Sequence, residues 1–547
     1  MRRPAGLFSA LQAVVIGLLM PAALLLAAGC GRRETDVARG SRTQVLHRGL
    51  GSDPAEIDPH LISALAEINV ASALFEGLVA EDPRNLHPIP ATAEGWDITP
   101  DGLTYTFRIR AAARWSDGRP VTAMDFIASF RRALTPSIAA DCAAMFDPVR
   151  NASAYRRGSL ADFSQVGFEA PDPRTLRITL EHPTADFLQR LSHPVFYPVP
   201  VPLIERCGPV GLRGNRWTKP GTIVGNGPFV LKEWAPNRII LVAKSPTYWD
   251  TARVRLQAIA FHPIDSVDAE ERAFRAGQLH ITEALAVGKV DAYRRGQPAV
   301  LRIDPWLATY FFRINITRPG LDDPRVRRAL AMAVDREAIV TRITRGGQQA
   351  AHSFVPPGFP GYQPPPGIPT DFAEARRLLA EAGHAGGRGL PPIEILFNTS
   401  PNHRLVAEAM QAAWQRELGV AVNLVNMEQK TVLEARRTLG FQILRSVWSA
   451  DYLDPESFLS VFVSDSGNNH TGWSSPEYDG LLGQARATAD PAARLALLRR
   501  AESLLLDAAP VIPVYFFTTV RLVHPSVRGW HPTLLDHHPY KDVWLEE

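Results

Sequence analysis

A guanidinium and a carboxylate stand six residues apart in the segment Arg445-Ser-Val-Trp-Ser-Ala-Asp-Tyr-Leu-Asp-Pro455. Arginine offers a planar fork of donors suited to a carboxylate, and aspartate offers acceptors suited to an ammonium. The apolar run Phe441-Gln-Ile-Leu444 before them reads as a buried strand. Trp448, Asp451 and Tyr452 then fall at a strand's end, ahead of a turn limited by Pro455. Ligands of α/β domains bind at such ends. A carboxylate kept ionised there requires a cationic partner, because an unpaired buried charge is costly. The α-amino group of a peptide would serve. A nearby arginine would serve equally, or Asp451 would cap the next helix.

The elements that must position these groups are legible from periodicity. Residues 44–50, 105–110, 175–180, 229–232, 239–243 and 258–261 read as strands. Residues 67–78 read as a helix with Val70, Leu74 and Phe75 on one face. Thr122 caps a helix over 123–134 that carries Phe126, Ile127 and Phe130. The second half alternates differently: a helix over 322–336, a proline-rich loop over 355–369, and a helix over 372–382 capped by Asp371 and stopped by Gly383. A strand over 392–398, a helix over 405–418 stopped by Gly419 and a strand over 420–425 complete an α/β lobe. No repeat of solenoid period is present.

Residues 1–30 read as an export signal: Arg2 and Arg3, an apolar stretch from Leu7 to Leu26, then Leu26-Ala-Ala-Gly-Cys30, a lipoprotein cleavage box in which Ala27 stands where leucine is usual. An uncleaved membrane anchor is the competing reading. If the box is read, Cys30 is lipidated, and more than one acyl chain makes the anchoring stable. Residues 31–43 are expected to be a tether. The 547-residue chain is 46% hydrophobic and 21% charged with a net charge of +3, a balance that excludes a nucleic-acid binder of this size. Cys142 and Cys207 stand as one disulfide or as two buried thiols. No phosphate loop, zinc motif, CxxC pair or nucleophile elbow occurs. Thr222-Ile-Val-Gly-Asn-Gly-Pro228 reads as a tight turn, and His537-His538 as a solvated pair rather than a metal site. Neither a cofactor nor a metal is expected.

A series of short blocks, taken in order, resembles the extracytoplasmic oligopeptide-binding proteins of ABC importers, solute-binding family 5. They are Gly51-Ser-Asp-Pro-Ala-Glu-Ile-Asp-Pro-His60, Leu74-Phe-Glu-Gly-Leu78, Trp115-Ser-Asp-Gly118 and Val121-Thr-Ala-Met-Asp-Phe126. His193-Pro194, Gly225-Asn-Gly-Pro-Phe229, Tyr248-Trp-Asp250, Asp323-Pro-Arg-Val-Arg-Arg-Ala-Leu330 and Ala450-Asp-Tyr452 continue the series. The resemblance implies an α/β fold of two lobes, the class II type of periplasmic binding protein, with an additional inserted lobe and ligand enclosed by hinge closure. The first lobe would take 44–79, 201–307 and 519–547, the inserted lobe 80–200, and the second lobe 308–518.

By the same resemblance Asp451 receives a peptide's α-amino group, and Arg445 its C-terminal carboxylate or backbone. Glu67 lines the site, and Asn69 and Val70 bond the ligand main chain. His403 takes the C-terminus of a longer ligand. His193 and Trp448 form pocket walls, with Ser449 beside them. Trp306 remains an aromatic pocket position. Gln429, Glu283, Phe311, Phe517 and Arg313 depart from the family pattern, Arg313 as a reversal of charge that would favour acidic peptides or pair with Glu283. The implied partners are a peptide, the permease subunits of an ABC transporter and, through the lipid, a membrane; the chain would be a monomer. A second reading keeps the fold and changes the ligand to a murein tripeptide, a sugar or a metal chelate. A third, an exported hydrolase, lacks a nucleophile motif.

Overall fold

Alternating apolar residues build three large sheets, beside two small two-stranded ones, in the computed structural model, which describes residues 34–62 and 64–547. The first runs in the order Val45–Gly49, Ala258–His262, Ile239–Lys244, Phe229–Ala235, with its first pair parallel and the rest antiparallel. Leu46, Ile240, Val242, Ile259 and Phe261 enter one core with Trp217. The second sheet is antiparallel, in the order Ala93–Ile98, Thr104–Ile109, Thr175–Thr179, Phe168–Asp172. Helix Ala123–Leu134 sets Phe126 and Phe130 into the core of that lobe. Its start is fixed because Thr122 Oγ1 accepts the N–H of Asp125 while the Asp125 carboxylate accepts that of Thr122.

The third sheet is mixed and six-stranded: Gln349–Ala350, Val511–Leu522, Leu301–Ile314, Ile443–Ser449, Ile393–Asn398, Val422–Met427. Its two long strands, Leu301–Ile314 and Val511–Leu522, form one antiparallel ribbon paired from Leu301 with Leu522 to Arg313 with Val511. One end of the ribbon, with Phe312, Ile314 and Ile512, lies in the core of the second lobe. The other end, with Leu301, Ile303 and Leu522, packs on Phe274, Leu279 and Val290 of the first. The ribbon therefore crosses between lobes, and its register shifts between Pro305 and Thr309. The expected boundaries at 307/308 and 518/519 both fall within it.

The inserted lobe is stitched to the first by short, buried bonds. Arg132 clasps Asp58 with Nη1 to Oδ1 at 3.0 Å and Nη2 to Oδ2 at 2.6 Å, and Trp217 donates its indole N–H to the same carboxylate at 3.0 Å. Both charged side chains are buried, and Arg132 and His60 hold the Asp58 carboxyl below its usual range against the cost of burial. A second knot forms at Glu76, whose carboxylate accepts from Thr92, Trp249 and Lys541 while Asn226 pairs with its backbone.

Several elements differ from the sequence reading. Asp36–Thr43, inside the expected tether, is a helix that buries Val37, Gly40 and Ser41. A side chain at Gly40 would strike the Val45 carbonyl and the His280 ring, so this glycine permits the docking. The helix expected over 67–78 is Leu65–Leu74. That expected over 322–336 stops at Met332, and Asp335 caps a new turn by accepting the N–H of Ala338. The strand expected at 441–444 is Ile443–Ser449. Cys142 and Cys207 are both free thiols. Among the described residues no helix is long and apolar enough to cross a membrane. The export signal and Cys30 lie outside the described residues.

Candidate functional site

Strand Ile443–Ser449 alternates its side chains between two faces, because successive residues of a strand point to opposite sides. Arg445 and Val447 share one face with their partners Phe312 and Tyr310. Here the Arg445 guanidinium lies over the Tyr310 ring at 4.8 Å and donates Nη1 to Asn398 Oδ1 at 3.3 Å. Its Nε is buried without a hydrogen-bond partner, and among the described residues no carboxylate forms an ion pair with it. His403 sits opposite, its Nδ1 3.3 Å from the Tyr310 hydroxyl. Burial and the Arg445 charge push this imidazole down to about 3, so it is neutral at ordinary pH. Tyr515 stacks on Tyr310 at 4.6 Å, and Phe517 meets Tyr310 at 6.1 Å and Trp306 at 5.6 Å. Of the residues singled out in the sequence, Arg445, His403, Trp306 and Phe517 thus come together in a cationic, aromatic-walled pole.

Asp451 lies just beyond the other end of the strand and forms an anionic pole. Its N–H donates to Ser457 Oγ at 2.8 Å, and Ala450 N–H is held by the Leu307 carbonyl. The residue is exposed, yet the protein around it pushes its carboxyl up to about 6, against the opposing pull of Arg190 and His537. No residue in the described chain lies within ion-pair distance of it. Arg190 and Cys142 come from the inserted lobe and His537 from the C-terminal segment, so Asp451 stands where three parts of the chain meet. Asp451 neither caps the following helix nor closes a salt bridge with a local arginine.

The remaining candidates distribute unevenly. His193 is buried, its Nδ1 accepting the N–H of Val195, and burial with the neighbouring His537 brings it down to about 3. Glu67 is buried and accepts the N–H of Ala64, closing the first turn of its helix. Asn69 and Val70 lie in mid-helix, where main-chain groups are committed to helical bonds, and Val70 is wholly buried. They do not offer the ligand-pairing backbone expected of them; Asn69 instead turns an unpartnered Nδ2 toward a small cavity with Tyr197 and Lys541. Trp448 is on the face opposite Arg445 and donates its indole N–H to the Ser457 carbonyl at 2.8 Å. Ser449 is half-buried at the strand's end and Gln429 is exposed at a helix start.

Arg313 is the clearest correction. Expected on a pocket wall, it is 1% exposed and belongs to the core of the second lobe. Its Nε donates to Ser446 Oγ at 3.2 Å and its Nη1 to the Asn468 carbonyl at 2.8 Å, between the rings of Phe311 and Phe462. Burial and the nearby Arg436 push it down to about 9. The alternative partner, Glu283, pairs with Arg48 instead. The His537-His538 pair is not solvated either: His537 binds Glu81 at 2.8 Å, and His538 stacks on Trp530 at 3.7 Å. Among the described residues no group of His, Cys, Asp and Glu could hold a metal. The sequence reading missed Tyr310, Asn398, Arg190 and His537. Of these only Tyr310 had a signal, its parity with Phe312 on a strand.

Comparison with known proteins bears on the family and the fold. The family model described as bacterial extracellular solute-binding proteins, family 5 Middle, matches residues 87–470. The chain is 35% identical over 536 residues to the periplasmic oligopeptide-binding protein OppA of Escherichia coli, covering 95% of each chain. It superimposes on the structure of the Escherichia coli murein tripeptide binding protein MppA with a TM-score of 0.82 and 33% identity, over 92% of this chain and 98% of that one. Against the unliganded open form of MppA the TM-score is 0.73, at 33% identity and over 92% of this chain and 97% of that one.

Proposed function

The chain belongs to the bacterial extracellular solute-binding proteins of family 5, and from that premise we propose that it is a peptide receptor that encloses an extended peptide and hands it to an ABC permease. Its work is binding rather than catalysis. The observation that carries the peptide reading is the pair of uncompensated charges on one segment, Asp451 without an ion-pair partner and Arg445 with a buried unbonded Nε. A zwitterion satisfies both poles at once: its ammonium enters at Asp451 and its carboxylate at Arg445, where guanidinium forks bind carboxylates well. The segment between them rises at most roughly 3.3 Å per residue, about 20 Å over six residues, so an extended ligand of about six residues would reach from one to the other and a shorter one would engage a single pole. The half-buried rings of Trp306 and Phe517, backed by the buried Tyr310, give such a ligand an apolar surface without a hydrogen-bonding demand on its side chains.

Calorimetry with paired ligands tests the reading. Asp451→Asn should weaken free-amino tripeptides by about 2–5 kcal/mol and leave N-acetylated ones nearly unchanged, because only the former lose a desolvated charge pair. Equal losses for both would count against an amine-reading role. Lipid attachment at Cys30 moors the receptor to the outer face of a membrane in this proposal. Fractionation of Cys30→Ser checks that part: mutant chain still in the membrane pellet would argue for an uncleaved anchor.

A further inference from the structure

The inserted lobe meets the second lobe immediately beside Asp451. Tyr452, the residue after the carboxylate, is 5% exposed and packs into the apolar core of the inserted lobe rather than that of its own. The Arg190 guanidinium covers its ring at 4.3 Å. Around this insertion lie six charges. On the inserted lobe Arg190 Nε binds Asp186 Oδ2 at 2.6 Å. On the second lobe Arg494 binds Asp454 at 2.7 Å and Glu456 at 3.0 Å, and Arg486 binds Glu456 at 2.6 Å. Between the lobes the distances lengthen: Arg190 to Glu456 and Arg494 to Asp186 are each 3.9 Å. Asp186 Oδ1 is buried with no hydrogen-bond partner.

Two properties follow from this arithmetic. Apart from Asp451, whose partner would be the ligand's amine, each half is neutral by itself, one acid with one base on the inserted lobe and two with two on the other. The halves can therefore part without uncovering a net charge. Closing them, however, strips water from Asp186 Oδ1 and returns only long contacts, so the charged groups contribute little net attraction. Most of the favourable term is the burial of one aromatic ring and its cation–π contact. Such an interface is specific in register and weak in sum.

We infer that Tyr452 and Arg190 form a closure latch that positions Asp451, the inserted lobe serving as the keeper into which the second lobe's Tyr452 drops when the protein shuts on its ligand. Asp451 and Tyr452 are adjacent, so the backbone that delivers the ring to its socket also presents the carboxylate to the ligand's amine. Ligand charge and latch burial then reinforce each other through one short segment. The inference rests on the peptide-receptor reading for the identity of the ligand but not for the latch itself.

The test measures distance and affinity separately. Spin labels carried by ketone-bearing residues at positions 157 and 404, both exposed and on the two lobes concerned, report the separation by pulsed electron resonance in the full chain. Tyr452→Ala should move the distribution toward longer distances without ligand and weaken tripeptide binding about tenfold, chiefly through faster dissociation. Tyr452→Phe keeps the ring and should stay within about twofold of wild type. Arg190→Met should lie between them, and serves as the second probe should Tyr452→Ala fail to fold by circular dichroism. Distance distributions identical in wild type, Tyr452→Ala and Arg190→Met would overturn the latch. Wild-type protein that binds no tripeptide, but whose distances shift with Tyr452→Ala, would overturn the peptide reading and leave the latch standing.

Discussion

The inserted lobe has two interfaces, and they obey opposite rules. Toward the first lobe it is clasped by direct bonds: Arg132 to Asp58 at 2.6 and 3.0 Å, with Trp217 completing the carboxylate. Toward the second lobe the charged groups satisfy their own side first and reach across only at 3.9 Å. A buried pair closed in both directions leaves an expensive orphan when broken, whereas two self-neutral halves can be rehydrated separately. The lesson concerns which parts move together. The direct bonds hold the first and inserted lobes together, and on the proposed closure the second lobe would work against that pair through the crossing ribbon.

Substitutions should expose this difference in order of size. Arg132→Met leaves the Asp58 charge buried and should lower unfolding stability in urea by about 3–5 kcal/mol. The Asp58 carboxyl is held below its ordinary value, so that contribution is fully present above the unfolded carboxylate range and fades as pH falls through the lowered one. The wild-type and Arg132→Met stabilities should therefore converge in acid. The movable side should answer acid differently, through ligand. Asp451 titrates at about 6, so ammonium-bearing peptides meet an ionised carboxylate above that pH and a neutral acid below it. Affinity should fall by up to about tenfold per pH unit below 6, a slope absent in Asp451→Asn. A flat profile in wild type would mean that the amine is read elsewhere. The smallest effect belongs to Arg190→Ala. Opening lets water reach Asp186, so global stability should drop by only about 1 kcal/mol. A loss equal to that of Arg132→Met would erase the distinction between the two interfaces.

What the sequence made visible was local. Thr122 before an apolar periodic run gives the start of its helix, and Gly419, at a φ of 67°, gives the end of another. Arg445 and Asp451 could be singled out because strand, charge and proline lie within one short segment. Misreadings arose where register decides. Arg313 was placed by resemblance alone; it lies on strand Leu301–Ile314, and which parity of that strand faces the site depends on pairing with Ile443–Ser449, more than a hundred residues away in sequence. Asn69 and Val70 were misplaced because their helix begins at Leu65, which turns a free backbone into a committed one. Arg190 and His537 carried no signal for a place beside Asp451: Arg190 pairs locally with Asp186, and its approach to Tyr452 and Glu456, like that of His537 to Glu81, arises only in the assembled lobes. The buried His537-His538 pair shows the same limit: its surroundings, Trp530, Asp536 and Glu81, include a residue from the far end of the chain.

The crossing ribbon has a mechanical consequence. Two antiparallel strands linked by a ladder resist stretching and shear, because either would break many hydrogen bonds at once, but they twist readily. The register shift at Pro305–Thr309 interrupts the ladder where the lobes part, and proline there contributes no N–H to rupture. A second shift follows between Tyr310 and Phe311, so the irregular part of the ladder is confined to the short stretch from Pro305 to Phe311. On the proposed closure, the second lobe would not search a volume of orientations but would swing along an arc, and a captured molecule would need only to make one end of that swing the more comfortable place to rest.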